Sequence, residues 1–211
     1  MARARPRRRS PDPRGAADRR ADGTLTPLGL PRGTLEAFPR RDVRWPLHRI
    51  HEADRDPRWF SSDGRGRFDL PERGTCYLAE KPLGAFIEVF RGTGPVSAQV
   101  VAARALTTIR SSRRLTIADC TSGRARLFGV TAAIHATEDY ERTQAWAAAF
   151  AEAGFDGVRY RLSQDPRARL NGVALFGGRR RLPRGTTRSI LEELVRAAEE
   201  AFGIRVMPTP V

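Results

Sequence analysis

The sequence predicts an α+β fold for a domain of ordinary size. Short apolar runs typical of strands are mixed with a few segments of helical period, and the two kinds do not alternate regularly as they would in a βαβ fold. The chain has 211 residues, of which 40% are hydrophobic. That is enough for one hydrophobic core with tails at either end.

The stretch around residues 65–92 holds the clearest local signals. Residues 75–79 form a short apolar run, which predicts a buried strand. Pro82 suits the first turn of a helix, because its missing N–H would be unpaired there anyway. The apolar face of this helix is predicted from four residues at helical spacing: Leu83, Phe86, Ile87 and Phe90. Glu88 lies in the same helix, where it either faces solvent or lies at the rim of a pocket.

The other elements are predicted from the hydrophobic period and from the positions of proline and capping residues. Further strands are predicted at 45–50, with Pro46 at an edge position or strand start, at 96–102 from alternation, and at 115–119, 157–162 and 172–176. Residues 138–153 give the clearest helix, with Thr137 as a candidate N-cap. Residues 187–202 predict an amphipathic C-terminal helix.

These elements divide the chain into three regions. Residues 1–23 are rich in arginine and poor in large apolar residues, which predicts a disordered basic tail. The main domain is predicted over residues 24–186, and a C-terminal helix and tail over residues 187–211. The tail is interpreted as a solvated segment, with an arm for nucleic acid or an acidic partner as the alternative.

Charge and cysteine usage narrow the class of protein. The formal net charge is +14, and Lys81 is the only lysine. Such a bias towards arginine reflects coding composition more readily than function, so we do not expect direct nucleic-acid binding. Cys76 and Cys120 have no CxxC or Cys/His neighbour, which favours a reduced, cytoplasmic protein. No apolar run approaches ~20 residues, so no membrane span is predicted.

Several familiar sites are absent from the sequence. It contains neither GxGxxG nor GxxxxGK[ST], and it lacks HExxH, GxSxG and any Cys/His cluster. No metal site is therefore expected. Four candidate residues remain: Arg49 in a strand, Tyr77 in a strand, Glu88 on a helix and Ser163 just after a strand. Each also has an ordinary structural interpretation, as a solvated arginine, a core tyrosine, a surface glutamate or a turn serine.

The order of short motifs along the chain provides a family resemblance. The motifs are LHRI at 47–50, GRFD at 66–69, TCYLAE at 75–80, AFIEVF at 85–90, LTIADCT at 115–121, the helix at 140–154, FDGVRYRLS at 155–163 and NGVALFG at 171–177. This ordered set resembles the RES domain, named for its Arg, Glu and Ser. The resemblance is strongest over residues 45–178.

The resemblance implies a fold and an activity. RES proteins are bacterial toxins whose fold is similar to ADP-ribosyltransferase toxins, with a bent, split β core and short flanking helices. They degrade NAD by cleaving the nicotinamide–ribose bond, with phosphate or water as acceptor, as an NAD phosphorylase or NAD glycohydrolase. NAD is thus the substrate and no cofactor is expected. The implied partner is an antitoxin with an Xre-like helix-turn-helix region.

The family's site residues transfer to positions of this chain. Its Arg, strand tyrosine, Glu and Ser fall on Arg49, Tyr77, Glu88 and Ser163. The resemblance implies that Arg49 binds the pyrophosphate, Tyr77 positions the nicotinamide, Glu88 stabilises the developing positive charge and Ser163 hydrogen-bonds substrate or nucleophile. Arg67 is a further candidate for a phosphate contact.

This chain departs from the family pattern at two positions, and two other functions are alternatives. The family often has an aromatic residue where this chain has His48, and an Asn-containing variant of the element that ends here in Asp69. One alternative function is transfer of ADP-ribose to a macromolecule. The other is a basic nucleic-acid-binding module without enzymatic activity, for which the sequence offers no recognised motif.

Overall fold

The structure is a computed structural model that describes residues 29, 31, 34–91 and 94–208. The predicted tail at 1–23 lies outside the described residues. The ten strands of the described ranges are β1 (Arg40–Asp42), β2 (Leu47–Glu52), β3 (Thr75–Ala79), β4 (Val96–Ser97), β5 (Arg104–Ile109), β6 (Thr116–Asp119), β7 (Gly157–Arg161), β8 (Asn171–Phe176), β9 (Thr186–Ser189) and β10 (Val206–Met207). The α-helices are α1 (Pro82–Val89), α2 (Ala98–Ala102), α3 (Ala133–Ala136), α4 (Tyr140–Glu152) and α5 (Glu192–Phe202).

An eight-stranded sheet organises the domain, in the order β1-β6-β7-β8-β3-β2-β5-β9. Its neighbours are antiparallel except β6 and β7, which are parallel. Short helices pack on the sheet without regular alternation with the strands. The predicted α+β class is confirmed.

The sheet opens between β2 and β3. β2 pairs with β5 through six residue pairs, and β3 pairs with β8 through five, but β2 and β3 share only the pair His48 and Ala79. The sheet therefore consists of two well-paired parts joined along a narrow seam, which matches the split core that the resemblance implies. A cavity can form at this seam because the two strands diverge beyond their single pair.

Three hydrophobic clusters stabilise this arrangement. The largest surrounds Trp146 and Phe150 of α4, which are fully buried, and their rings pack with Phe38. A second cluster lies around Leu47, Cys76 and Leu78. The third joins Ile50, Phe86 and Ala198, and so holds α1 and α5 together over β2.

One predicted element was wrong in type, and another was wrong in its first residues. Residues 96–102, predicted as one strand, form the short strand β4 followed by α2, because the Ser97 side chain accepts a hydrogen bond from the Gln99 N–H and caps the helix. The predicted helix at 187–202 begins only at Glu192. Residues 186–189 instead form β9 at the sheet edge, where Thr187 and Thr107 hydroxyls lie 2.7 Å apart.

Two further differences concern the cap of α4 and the strand β5. The cap of α4 is Asp139 rather than Thr137, since the Asp139 carboxylate accepts from the Arg142 N–H. The Thr137 hydroxyl accepts from the Asp139 N–H instead. Strand β5 was not predicted at all, because RALTTI mixes polar and apolar residues on both faces.

α5 packs on the core through Ala198, and a substitution at this residue tests that packing. Ala198 is fully buried against α1, so Ala198→Asp places an unpaired carboxylate in an apolar cluster. We expect the free energy of unfolding to fall by about 3 kcal/mol or more, as measured by urea denaturation.

Glu200→Asp is the matched control, because it introduces the same residue at an exposed position of the same helix and leaves the helix charge unchanged. Its cost should stay within about 0.5 kcal/mol. Equal stability of the two variants would mean that α5 is not packed on the domain in solution.

Candidate functional site

A cavity of about 160 Å³ lies at the seam between β2 and β3, beneath α1. Its walls come from β2, β3, α1 and the end of β7: His48, Arg49, Ile50, Tyr77, Leu78, Ala79, Ala85, Glu88, Val89, Tyr160 and Leu162. We call it the Glu88 cavity. Three predicted site residues, Arg49, Tyr77 and Glu88, line it together although they lie on three different elements.

Small residues bring α1 close to the sheet. Gly84 and Ala85 are buried on the side of α1 that faces the strands. A Cβ atom on Gly84 would lie 3.0 Å from Leu162 Cδ1 and 3.3 Å from Ala79 Cβ. A larger residue at position 84 would push the helix outward, so glycine here sets the depth at which Glu88 enters the cavity.

The Glu88 carboxylate is the unusual group of this cavity. Its Oε2 atom is buried and has no hydrogen-bond partner, the only such side-chain atom among the described residues. Burial raises the pKa of Glu88, and the nearby Arg91 and Arg67 guanidinium groups lower it in part. A buried acceptor without a donor costs about 1–3 kcal/mol, which ligand hydroxyl groups could recover by hydrogen bonding.

Tyr77 is held rigidly by a hydrogen-bond network. Its hydroxyl donates to Asp69 Oδ1 at 2.8 Å and accepts from the Phe68 N–H at 2.8 Å. Asp69 is fully buried, and its Oδ2 accepts from the Gly66 N–H and the Ser61 hydroxyl. Burial and the Asp69 carboxylate raise the pKa of Tyr77, so its hydroxyl stays protonated and the residue offers its ring to the cavity.

Gly66 is required by this network. A side chain at position 66 would collide with the Asp69 carboxylate and the Tyr77 hydroxyl. The GRFD motif thus combines a residue without a side chain with a buried acid. Both serve the orientation of Tyr77.

Tyr160 is a cavity residue that the sequence analysis missed. Its side chain lies across Gly172, its partner in the β7–β8 ladder, and a Cβ atom there would collide with the ring. The Phe68 ring packs at 5.0 Å from the Tyr160 ring. Burial raises the pKa of Tyr160, and the Glu88 carboxylate adds to this effect. No signal in the sequence pointed to this residue, because only the strand register places Gly172 opposite Tyr160.

Arg49 lines the cavity while its guanidinium anchors a loop. Its Nη1 donates to the carbonyl oxygens of Pro57 at 2.9 Å and Trp59 at 2.7 Å, and lies 3.1 Å from Cys76 Sγ. Cys76 and Tyr77 are consecutive strand residues and point to opposite faces. The Arg49 Nη1 group is therefore on the face away from the Tyr77 ring. Its Nε and Nη2 make no hydrogen bond within the described ranges.

Arg67 lies on the Glu88 side of the site. It donates to the Thr137 carbonyl oxygen, and its guanidinium stacks over the Tyr140 ring at 5.2 Å. Its positive charge acts on Glu88 together with that of Arg91. Of the arginines considered in the sequence analysis, Arg67 is thus the one whose field reaches the cavity carboxylate.

Ser163 is not brought into the cavity. It is exposed in a turn directly after Leu162, and Leu162 is the residue that lines the cavity. The buried Asp165 carboxylate shapes the following loop by accepting from the N–H groups of Arg167, Arg169 and Leu170. Ser163 therefore stands at the edge of the site rather than beside Glu88.

The half-buried carboxylate of Glu80 shows the opposite situation. Glu80, just after β3, receives two hydrogen bonds from Arg159, at 2.6 and 2.9 Å, and one from Asn171 at 3.1 Å. Burial alone would raise the pKa of Glu80, but the hydrogen bonds from Arg159 and the arginine's charge lower it overall. Arg159 also contacts Asp119 and Thr121, so the groups of this network find their partners within the protein.

The arrangement suits a positively charged or polar ligand with a flat ring. The cavity offers one unpaired carboxylate and two tyrosine rings, Tyr77 and Tyr160. Across the residues that the structure describes, His, Cys, Asp and Glu side chains form no group of three or more that could hold a metal ion. In the same ranges, no helix is long and apolar enough to cross a membrane.

Comparison with known proteins gives a family match and a similar solved structure. The family model described as RES domain matches residues 46–192. A search of curated proteins found no match. A chain of the crystal structure of the M. tuberculosis MbcT–MbcA toxin–antitoxin complex is similar, with a TM-score of 0.57 and 21% identity, over 77% of this chain and 92% of that chain. At this identity the likeness concerns the fold.

Gly66→Ala tests the network around Tyr77. The added methyl group must displace Asp69 or Tyr77, so we expect a loss of about 1–3 kcal/mol in the free energy of unfolding, measured in urea. Gly178→Ala is the control, because position 178 has open space around it and an ordinary φ of −134°. Similar stability of both variants would contradict the described packing.

Glu88→Gln and Glu80→Gln should change stability in opposite directions at pH 8. The folded-state pKa of Glu88 is raised above 4.5, so its ionised form destabilises the protein as the pH rises through that raised value. Glu88→Gln should therefore gain about 1 kcal/mol. The pKa of Glu80 is lowered, so its charge stabilises above pH 4.5, and Glu80→Gln should lose about 2 kcal/mol.

Urea denaturation at pH 8 and at pH 4 measures both effects. Both differences should shrink at pH 4, where the carboxyl groups of the unfolded chain are largely protonated. A loss of stability in Glu88→Gln at pH 8 would mean that the carboxylate is paired in solution.

Proposed function

The chain belongs to the RES domain family, and on this premise we propose that it is an NAD-degrading enzyme that cleaves the bond between nicotinamide and ribose. The observation that carries the proposal is the buried Glu88 carboxylate, which has an unpaired oxygen in a cavity lined by two tyrosine rings. Each part of this arrangement has a task in that reaction.

Glu88 acts on the ribose. Cleavage of an N-glycosidic bond passes through a centre with oxocarbenium character, on which positive charge develops. A fixed carboxylate stabilises that charge, and the free oxygen of Glu88 can accept a hydrogen bond from a ribose hydroxyl. The cost of burying the carboxylate is incurred on folding, so the charge is already in place when the bond breaks.

The tyrosine rings act on the nicotinamide. Tyr77 and Tyr160 both line the cavity, whose volume of about 160 Å³ suits a single ring with part of a sugar. Aromatic faces stack well against a flat, positively charged pyridinium ring. Nicotinamide departs as a neutral molecule, so no general acid is needed, and the Tyr77 hydroxyl is in any case committed to Asp69.

Arg67 and Arg49 have different tasks in this proposal. Arg67 supplies positive charge near Glu88 and suits a phosphate group of the substrate or an inorganic phosphate acceptor. Arg49 acts chiefly as a positioning residue, because its Nη1 fixes the loop at Pro57 and Trp59 beside the cavity. From the rim of the cavity, Ser163 contacts either the substrate or the incoming acceptor.

The biological setting is proposed from the fold neighbour. That protein was solved as a toxin–antitoxin complex, and its fold is shared over 77% of this chain. We infer that this chain is a toxin whose NAD-degrading activity is restrained by an antitoxin, with an Xre-like protein as the expected partner. The antitoxin would act by closing access to the Glu88 cavity.

The test is nicotinamide release from NAD by the purified protein, with products separated. We expect release by the wild-type protein, and a loss of at least ~10²-fold in rate for Glu88→Gln, because the transition-state charge loses its partner. Glu72→Gln serves as the control, since Glu72 is an exposed carboxylate outside the cavity walls.

The acceptor is identified in the same assay. Release that requires inorganic phosphate indicates a phosphorylase, and release without it a glycohydrolase. Label from NAD that appears on protein or nucleic acid instead would support the alternative of ADP-ribose transfer. Full activity in a folded Glu88→Gln protein would contradict the proposal.

A further inference from the structure

A second cavity adjoins the Glu88 cavity along α1. Its volume is about 560 Å³, and its walls come from the end of α1, the loop after β7 and the end of α5: Ile87, Phe90, Arg91, Gly94, Gln164, Pro166, Arg167, Ala201, Phe202, Gly203 and Ile204. We call it the C-terminal cavity, because its outer wall is formed by residues 201–204. These residues follow the end of the family match at position 192.

The two cavities share their dividing wall. On α1, Ile87 lines the C-terminal cavity while the next residue, Glu88, lines the other. On the loop after β7, Leu162 lines the Glu88 cavity and Gln164 lines the C-terminal cavity, with Ser163 between them. The two cavities are therefore lined by neighbouring residues of the same two segments, α1 and the loop after β7.

Size makes the second cavity necessary for a dinucleotide. Sites for ligands of drug size usually have volumes of about 300–1,000 Å³. The Glu88 cavity, at about 160 Å³, lies below that range and has room for the nicotinamide end alone. The C-terminal cavity lies within the range and can take the other half of the molecule.

The chemistry of the C-terminal cavity fits an adenosine diphosphate group. Arg91 and Arg167 bring two positive charges, and no Asp or Glu occurs among the described residues that line it. Phe90, Phe202 and Pro166 provide apolar surface for a flat purine ring. Arginine binds pyrophosphate oxygens through paired hydrogen bonds, and aromatic side chains stack on bases.

Arg167 is placed by a rigid loop. The buried Asp165 carboxylate accepts hydrogen bonds from three backbone N–H groups of residues 167–170, one of them from Arg167 itself. The Arg167 side chain is exposed, so it can reach a ligand without disturbing the core. Arg91 is close enough to Glu88 to lower its pKa in part, which places one cation between the two cavities.

We propose that the C-terminal cavity is the subsite for the adenosine diphosphate half of the substrate, with Arg167 contacting the pyrophosphate and α5 closing the adenine side. The proposal rests on the function proposed above, in that NAD is the dinucleotide concerned. In this proposal, residues beyond the family match contribute to substrate affinity. They do not take part in breaking the bond.

Two variants test the proposal, and each leaves the Glu88 cavity intact. Arg167→Ala removes one of the two cations of the cavity, and Ala201→Phe fills the cavity from α5. We expect each to raise the KM for NAD about tenfold or more, with kcat within about twofold, because the lost contacts lie away from the reacting bond. The KM for nicotinamide mononucleotide, which lacks the adenylate half, should change much less. Arg184→Ala, at an exposed site outside both cavities, is the control.

ADP binding separates this proposal from the proposed function. ADP binding is measured by calorimetry on the wild-type protein and the two variants, without any turnover. ADP binding that weakens about tenfold or more in both variants supports the subsite, even if NAD is not cleaved and only the proposed function fails. NAD cleavage with unchanged KM in both variants, or a wild-type protein that binds no ADP, overturns the subsite.

Discussion

The narrow seam between β2 and β3 is the constraint on which the site depends. These strands share only the pair of His48 and Ala79, while each is fully paired on its other side. The divergence leaves a space that would otherwise be filled by ladder hydrogen bonds. α1 covers this space and, because Gly84 allows close approach, it delivers the Glu88 carboxylate into it. The position of the Glu88 carboxylate thus follows from the pairing of β2 with β3 and from the packing of α1.

The acidic side chains in and beside the core differ in how fully they are hydrogen-bonded. Asp69 and Glu80 each receive several hydrogen bonds, so their charge is balanced by donors that belong to the fold. Glu88 keeps one oxygen without a donor among the described residues. An exception of this kind reduces stability and is expected where a ligand supplies the missing partner. The same contrast explains why Asp69 orients Tyr77 while Glu88 remains available to substrate.

The sequence predicted the elements whose signals are local. The strand at 75–79 and the helix that begins at Pro82 have the predicted bounds, or nearly so, because apolar period and proline position are properties of the segment itself. Residues 96–102 and 187–189 were assigned wrongly. In the first segment a serine cap decided the outcome, and in the second the pairing of β9 with a distant strand did so.

The site was predicted in part, for a similar reason. Arg49, Tyr77 and Glu88 were named from the family resemblance, and they line one cavity. Tyr160 was missed because its role depends on Gly172, a partner twelve residues away that only the sheet register identifies. The position of Ser163 outside the cavity, and the contribution of α5 to a second one, depend equally on contacts between distant segments. The assignment of roles to these residues remains a prediction.

The most direct test of this account is the titration of the Glu88 carboxyl group, followed by NMR in the intact protein with Glu88→Gln as the assignment control. We expect a pKa of Glu88 above 4.5, because the carboxylate is buried and one oxygen lacks a donor. We also expect nicotinamide mononucleotide, whose ribose hydroxyls can donate to Glu88, to lower this pKa. A pKa at or below 4.5 in the free protein would show that the carboxylate is solvated or paired, and would contradict the account.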